Sequence, residues 1–276
     1  MATSEKRLYT TGELAKMFSL KKDTLFYYDR IGLFSPKYRK GSTNYRYYDS
    51  GQIKTLDTIL ALRDMDIPIN ELKSYLKDIN TDSFLNLMEL ENKKLEAKIR
   101  DFTIMKKTLV ELSRRMKKAK ESEYGKLFFK EEDTHHFFSL PIIMKGKNLE
   151  EAWNKAYGEF WSYIDSDKII TNGAILPKSN FLSREYTLIT HIIGYTVEKN
   201  ADTTEKGLYA NIYIKGSYDN LNAGYEIFHD AIVEAGYYPI SDIYEEYIIT
   251  SLSEEKEENY VTLLRVKVER IAPHCQ

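Results

Sequence analysis

Glu245 lies in the run Ile243, Tyr244, Glu245, Glu246, Tyr247, Ile248, Ile249. Period-two alternation sets it on the side of Ile243, Tyr247 and Ile249, in a region with fourteen tyrosines from Tyr124 onward. A carboxylate on an apolar face needs a partner or waits for one. One reading pairs Glu245 with a lysine or arginine of the chain, or turns it to solvent at a strand end. The other gives it a cationic ligand, with tyrosine faces adding cation–π contacts of roughly 0.5–2 kcal/mol each. A second set of chemistry-bearing residues lies near the N-terminus. Lys21, Lys22, Tyr27, Tyr28 and Arg30 carry donors suited to phosphate oxygens, and Lys37, Arg39, Lys40 and Arg46 surround the turn formers Gly41, Ser42 and Asn44. The alternative for these cations is a solvated face of a small helical domain.

Short helices must position the N-terminal set. Thr10 and Glu13 have capping-box spacing ahead of Leu14, Ala15 and Phe18, and a second helix over residues 22–31 ends at Ile31 and Gly32. Two helices joined so closely predict a helix-turn-helix, and residues 37–48 predict a basic hairpin, or wing. Asp49 and Gln52 repeat the capping-box spacing before a helix with Ile53, Leu56, Ile59, Leu60 and Leu62, from which Lys54 and Arg63 reach a flanking DNA backbone. Pro68 starts a shorter helix facing inward through Leu72 and Leu76.

Residues 82–122 contain no proline or glycine. Met88, Leu95, Phe102, Leu109 and Met116 fall seven apart, with Met105, Leu112 and Ala119 as a second seam. A stripe this long implies a partner, most simply a second copy in a coiled coil; the alternative is cover by the chain's own C-terminal domain.

Beyond Tyr124 and Gly125 aromatic and β-branched residues rise. A helix pattern with Trp153, Ala156, Phe160, Trp161 and Ile164 precedes a strand at residues 173–176, and another with Leu221, Tyr225, Phe228, Ile232 and Ala235 precedes one at 243–250. This predicts an α+β domain built from a repeated unit. Leu208, Ala210, Ile212 and Ile214 share one strand face, with Tyr209, Asn211 and Tyr213 on the other. In the last strand Tyr260 joins Thr262, Leu264, Val266 and Val268.

The chain has 276 residues, 42% hydrophobic and 30% charged, enough for two domains. The N-terminus has no apolar signal region and no run of 18 apolar residues occurs, so no membrane step and a cytoplasmic location are expected. A single cysteine, Cys275, excludes an internal disulfide and a paired-thiolate metal site within one chain. His135 and His136 diverge if on a strand, and His191, His229 and His274 are isolated, so no metal and no cofactor is expected. The net charge of -2 hides a split: residues 1–123 carry 25 Lys+Arg against 18 Asp+Glu, and residues 124–276 carry 15 against 24. The basic half suits nucleic acid, and the acidic half suits a cation.

The segments YTTGELAKMF, DTLFYYDRIGLFSPKY and NYRYY resemble the winged-helix DNA-binding domain of MerR-family transcription regulators. Many members have arginine where this chain has Phe26. Residues 124–276 resemble the GyrI-like effector-binding domain, and the stretch SDIYEEYIITSLSEEKEENY is similar to that of a multidrug-responsive member of the family. The resemblance implies a multidomain α+β chain: a winged helix-turn-helix over residues 1–80, an antiparallel coiled-coil dimerisation helix over 81–123, and a GyrI-like ligand-binding domain over 124–276. It implies DNA contacts from Thr10, Lys21, Lys22, Tyr27, Tyr28, Arg30, Lys40, Tyr45, Arg46, Tyr47 and Lys54. It matches Glu245 to an acid that meets cationic drugs, Tyr157, Tyr209 and Tyr260 to aromatic pocket positions, and Glu258 to a second acid. Asn172 stands before Gly173 and Ala174, where that relative has a further pocket tyrosine.

The implied function is a homodimeric activator on double-stranded promoter DNA that responds to a lipophilic, cationic compound. It would bend and untwist an overlong spacer for RNA polymerase. A GyrI-like hydrolase using Glu245 and Tyr260 is the rival expectation, and a ligand-independent architectural DNA protein is the third; the latter leaves the tyrosine-lined acid without a role.

Overall fold

Two reciprocal caps start the helices that flank the basic hairpin. In the computed structural model, which describes residues 7–41, 44–142 and 149–271, the Thr10 amide donates to Glu13 Oε2 at 2.8 Å and the Glu13 amide donates to Thr10 Oγ1 at 3.3 Å. Asp49 and Gln52 repeat the exchange, at 3.2 and 3.1 Å. Each pair satisfies amides that a helix start leaves without carbonyl partners. Ser42, His274 and Cys275 lie outside the described residues.

The elements so begun are β1 (Leu8–Thr10), α1 (Thr11–Met17), α2 (Lys22–Arg30), β2 (Tyr38–Lys40), β3 (Tyr45–Asp49), α3 (Ser50–Asp64) and α4 (Ile69–Tyr75). The strands form a small sheet in the order β1-β3-β2, so β2 and β3 are the hairpin. Helix α2 stops where Gly32 takes φ +70°, a left-handed conformation that a side chain disfavours. Leu14, Leu25, Leu56, Ile59, Leu62 and Leu72 close one core, with Phe34 stacked on Tyr48 at 5.2 Å.

A single 41-residue helix, α5 (Thr81–Glu121), follows. The chain divides within it into two compact units, Met1–Ile99 and Arg100–Gln276. Met88 packs on the first core. Met116 and Ala119 pack with Tyr213, Ile248, Val261 and Leu263, and Leu112 with Ile170, Ile193 and Tyr195. The expected second seam is therefore covered in its later part by the chain's own sheet, because the last turns of α5 lie across that sheet. Leu95, Phe102 and Leu109 stay exposed, with Ile99 and Val110 beside them. Among the described residues no helix is long and apolar enough to cross a membrane.

The second unit contains β4 (Phe128–Glu132), β5 (His136–Pro141), α6 (Leu149–Tyr163), β6 (Ile169–Leu176), α7 (Lys178–Leu182), β7 (His191–Thr196), β8 (Asp202–Thr203), β9 (Gly207–Lys215), α8 (Leu221–Glu234), β10 (Tyr237–Ile249) and β11 (Val261–Arg270). One antiparallel sheet runs β4-β9-β11-β10-β6-β7-β5-β8. The repeat expected from helix-then-strand passages is larger in the fold. A strand, helix, strand, strand unit occurs twice, as β5-α6-β6-β7, with the short α7 inserted before β7, and as β9-α8-β10-β11, and each lays its third strand between the other two. The halves join where β10 pairs with β6.

One sheet face carries Ala210, Ile212, Ile243, Leu264 and Val266 against Phe181, Tyr225, Phe228 and Ile232 of the α7 and α8 layer. The register of β10 shifts between Tyr247 and Ile249. That irregularity moves Ile249 onto the opposite cluster with Tyr213 and Val261, so it does not share a face with Glu245 as simple alternation predicts.

Candidate functional site

The first candidate surface is the outer side of α2 with the hairpin. Lys21, Lys22, Arg30, Lys40, Tyr45 and Lys54 are exposed there, as is Tyr27, whose ring lies 5.6 Å from the Arg30 guanidinium. Tyr47 is half-buried, 5.6 Å from Lys40 Nζ. Thr10 spends its hydroxyl on the α1 cap. Tyr28 departs from the expected set: it points inward from α2 and its ring belongs to the core with Leu25 and Leu33. The reason is helical geometry, since Tyr28 follows Leu25 by three residues on the buried side.

Asp29 is the organiser that sequence reasoning missed. Buried beneath the hairpin, it accepts from Arg39 Nη2 through both oxygens, at 2.8 and 2.7 Å, and from Arg46 Nε at 2.6 Å. Burial alone would raise its pKa, but the hydrogen bonds from Arg46 and Arg39 outweigh it and hold the carboxyl below its ordinary value. Two hairpin cations are thereby fixed in place. Lys37 is likewise tied to Asp49 at 2.7 Å. Arg46 also lies over the Phe26 ring at 4.8 Å, so the residue that replaces the family's arginine supports a neighbouring one.

The second candidate site is a cavity of about 700 Å³ in the other unit. Trp153 and Tyr157 of α6, Asn172 of β6, Tyr186, Tyr218, Asp219, Tyr225 of α8, and Glu245 and Tyr247 of β10 line it. Among the described residues no lysine, arginine or histidine lines it. Its volume falls in the range of drug-sized sites, roughly 300–1,000 Å³. Gly173 allows the two halves to meet at this point: a Cβ there would stand 1.9 Å from the Glu245 carbonyl oxygen, so only glycine permits the close approach.

Glu245 is 3% exposed. The Tyr225 hydroxyl donates to its Oε1 at 2.5 Å, and the Tyr247 hydroxyl donates to its Oε2. Among the described residues no cation pairs with it. Burial pushes its pKa above the ordinary value, against the opposing pull of the two tyrosine bonds. Burial, with the neighbouring carboxylate, also lifts both phenols well above their usual range, which keeps them protonated as donors. Among the described residues its partners are therefore two tyrosine hydroxyls and not a cation of the chain.

Of the expected pocket residues, Tyr157, Asn172 and Glu245 line the cavity. Tyr209 does not. It sits on β9 in the register that places Ala210 beside Val266, which turns it to the opposite sheet face, where its hydroxyl donates to the Glu205 carbonyl at 2.8 Å. Glu258 is exposed in the turn before β11, 3.9 Å from Lys256. Tyr260 precedes β11 and packs behind Tyr218 at 5.5 Å, outside the lining. The proposed acid–base pair of Glu245 and Tyr260 is not formed, since the hydroxyls on Glu245 are those of Tyr225 and Tyr247. Both were legible in part: Tyr247 is two residues from Glu245 on one strand face, and Tyr225 lies on the apolar stripe of α8.

Glu246, on the other face of β10, has opposite surroundings. Arg115 of α5 and Arg265 of β11 both reach it, the latter at 2.7 Å, and Thr171 donates to it at 2.6 Å. Arg265 continues to Glu132 at 3.3 Å, and Glu132 lies 2.6 Å from His135.

Residues 9–79 match the family model described as MerR HTH family regulatory protein. Over 278 residues the chain is 25% identical to the multidrug-efflux transporter 2 regulator of Bacillus subtilis, an alignment covering 98% of this chain and 100% of that one. It is 24% identical over 274 residues to the multidrug-efflux transporter 1 regulator of the same organism, covering 94% and 98%. The transcriptional regulator BrlR of Pseudomonas aeruginosa is 46% identical over 72 residues, 26% of each chain. Both full-length relatives are named as regulators. With its capped helix-turn-helix and basic hairpin, the matched stretch of residues 9–79 is a MerR-type helix-turn-helix domain, and the chain as a whole is similar to two multidrug-efflux transporter regulators.

Proposed function

We propose that this regulator is a ligand-responsive activator whose effector is a lipophilic, aromatic cation held at Glu245. One observation carries the reading: a buried carboxylate in a tyrosine-rich cavity, bonded by two phenols and by no cation among the described residues. A buried charge without a counter-charge is costly, so a cation that supplies one gains both the ion pair and the surrounding ring faces. The names of the two full-length relatives, both multidrug-efflux regulators, agree with this ligand class.

The three-part organisation proposed with it is a DNA reader over residues 1–80, a dimerisation helix over 81–123 and an effector domain over 124–276. The exposed stripe Leu95, Phe102 and Leu109 supports a second copy as partner, since an open apolar seam on a long helix is stabilised by burial. A twofold dimer offers two α2 helices to a pseudo-palindromic promoter. Ligand then favours the dimer form that bends and untwists an overlong spacer, bringing both promoter elements before RNA polymerase. The shift is limited to the difference in ligand affinity between the two forms.

The test is calorimetric titration of the full chain with tetraphenylphosphonium and with neutral triphenylphosphine oxide, on wild type and Glu245→Gln. The cation binds wild type and loses affinity with Glu245→Gln, while the neutral compound is indifferent to the substitution. Equal binding of both compounds by both proteins rejects the cation reading. Transcription assays with polymerase, with and without the bound cation, then check activation.

A further inference from the structure

We infer that the cavity has a second cation-directed group, Asp219 at its mouth, and that it favours elongated aromatic compounds with a positive charge at each end over single cations. The inference rests on the proposed cation site at Glu245 and names a specificity residue beyond it.

Among the described residues, the cavity lining has two carboxylates and no basic side chain. Glu245 forms the buried one. Asp219 is exposed, in the turn Tyr218–Asn220 that leads into α8. Structural employment for Asp219 is missing: Asn220 occupies the α8 N-cap, and among the described residues the Asp219 carboxylate has neither a hydrogen bond nor an ion pair. Several other acids of the unit are engaged, as Asp202 with Ser139, Glu205 with Lys267 and Glu226 with Arg184 are.

An aromatic wall joins the two acids. Tyr218, next to Asp219 in the chain, packs its ring 4.9 Å from that of Tyr247, whose hydroxyl holds Glu245. Across the cavity, Trp153 stacks on Tyr157 at 20° between planes. A flat ligand body lying along these rings, with one charge at Glu245, carries its far end toward the mouth and Asp219. There a second cation remains hydrated on one side, so the outer pair adds selectivity and a modest gain, while the inner pair supplies the affinity.

The probes are a biphenyl with a trimethylammonium group at both ends and the same biphenyl with a tert-butyl group replacing one of them. They match in shape and differ by one charge. Titrations of the full chain at low salt are expected to give wild type about two- to fivefold tighter binding of the bis-cation, the scale of an exposed ion pair. Asp219→Asn abolishes that preference and leaves the mono-cation unchanged, whereas Glu245→Gln weakens both probes. Glu131→Gln, which removes an exposed acid from the β4 edge, keeps the preference and so separates a local contact from the general field of an acidic domain. A bis-cation bound no better than the mono-cation overturns the inference, and so does a preference that survives Asp219→Asn. If neither probe binds wild type, the cation site itself is rejected along with it.

Discussion

Glu245 and Glu246 are neighbours on one strand, equally buried, and opposite in every chemical respect. Glu246 faces Arg115, Arg265 and Thr171, and its pKa is lowered because those partners outweigh the burial that would raise it. Glu245 faces a cavity and two phenols, and burial prevails to raise its pKa. Pleating separates the two by turning successive side chains to opposite faces. A carboxylate whose charge is fully answered by the chain is part of the scaffold. On the proposed reading, one whose charge is left for something else is the ligand's anchor, and here the first braces the strand that presents the second.

The largest expected effect is on the scaffold side. Glu246→Gln leaves Arg115 with only the less buried Glu111 and Arg265 with Glu132 alone, and breaking a buried pair in this way typically costs about 3–5 kcal/mol. Denaturant unfolding of the C-terminal transition reads it as a large drop in midpoint. A shift no greater than that of an exposed control would erase the distinction drawn between the two glutamates. Glu245→Gln is expected to leave the fold intact, since the amide still meets Tyr225 and Tyr247. It lowers cation affinity by about ten- to a hundredfold, the worth of a charge-assisted contact of roughly 1.5–3 kcal/mol.

Acid sharpens the same contrast, because the two sites carry opposite signs of linkage. Glu132 is drawn down to about 2, burial being outweighed by His135 and Arg265, and Glu246 is lowered as well. When the folded pKa lies below the unfolded value of 4.5, the unfolded chain takes up protons first as the pH falls. The stability from these acids is therefore present above pH 4.5 and lost as the pH drops toward 2. Glu245 has the reverse order: its folded pKa lies above 4.5, so its contribution is present below pH 4.5 and lost as the pH rises through the folded value. Wild type and Glu245→Gln are thus expected to be equally stable at pH 4, with the variant ahead at pH 7, and cation affinity of wild type rises over that interval. Unfolding curves and titrations at the two pH values check both statements, and a variant less stable at pH 7 contradicts them.

The legible parts of the sequence were those where chemistry is local. Capping boxes at Thr10 and Asp49, the glycine stop at Gly32 and the unbroken span of α5 depend on spacings of a few residues. Glu245 was visible because a strand has period two and its faces differ in polarity. What escaped depends on register between distant strands. Tyr209 looks like a pocket residue until the β9–β11 pairing turns it away, and the β10 irregularity moves Ile249 to the other face. The arginine pair on Glu246 is drawn from residues 131 and 19 positions away, beyond any local pattern. Asp29 escaped for a different reason: an acid amid cations reads as charge dilution, while in the fold it holds two of them.

That last case transfers the comparison to the DNA reader and carries the smallest prediction. Asp29 is answered by two arginines as Glu246 is, yet Arg46 keeps about a third of its side chain exposed, while Arg115 and Arg265 are nearly enclosed. Held by Asp29 and the Phe26 ring, the outer edge of the Arg46 guanidinium is set toward solvent at little further entropic cost, an arrangement suited to a phosphate. Arg46→Ala is therefore expected to weaken DNA binding about equally across sequences and to flatten the plot of log affinity against log salt by about 1.8 for the proposed dimer, one phosphate contact per protomer. Asp29 keeps Arg39 in the variant, so the core need not follow. Binding measured at several salt concentrations decides the matter. An unchanged slope assigns Arg46 to the scaffold with Arg115 and Arg265, and a reduced one places it with Glu245, among groups whose charge is only partly answered by the chain.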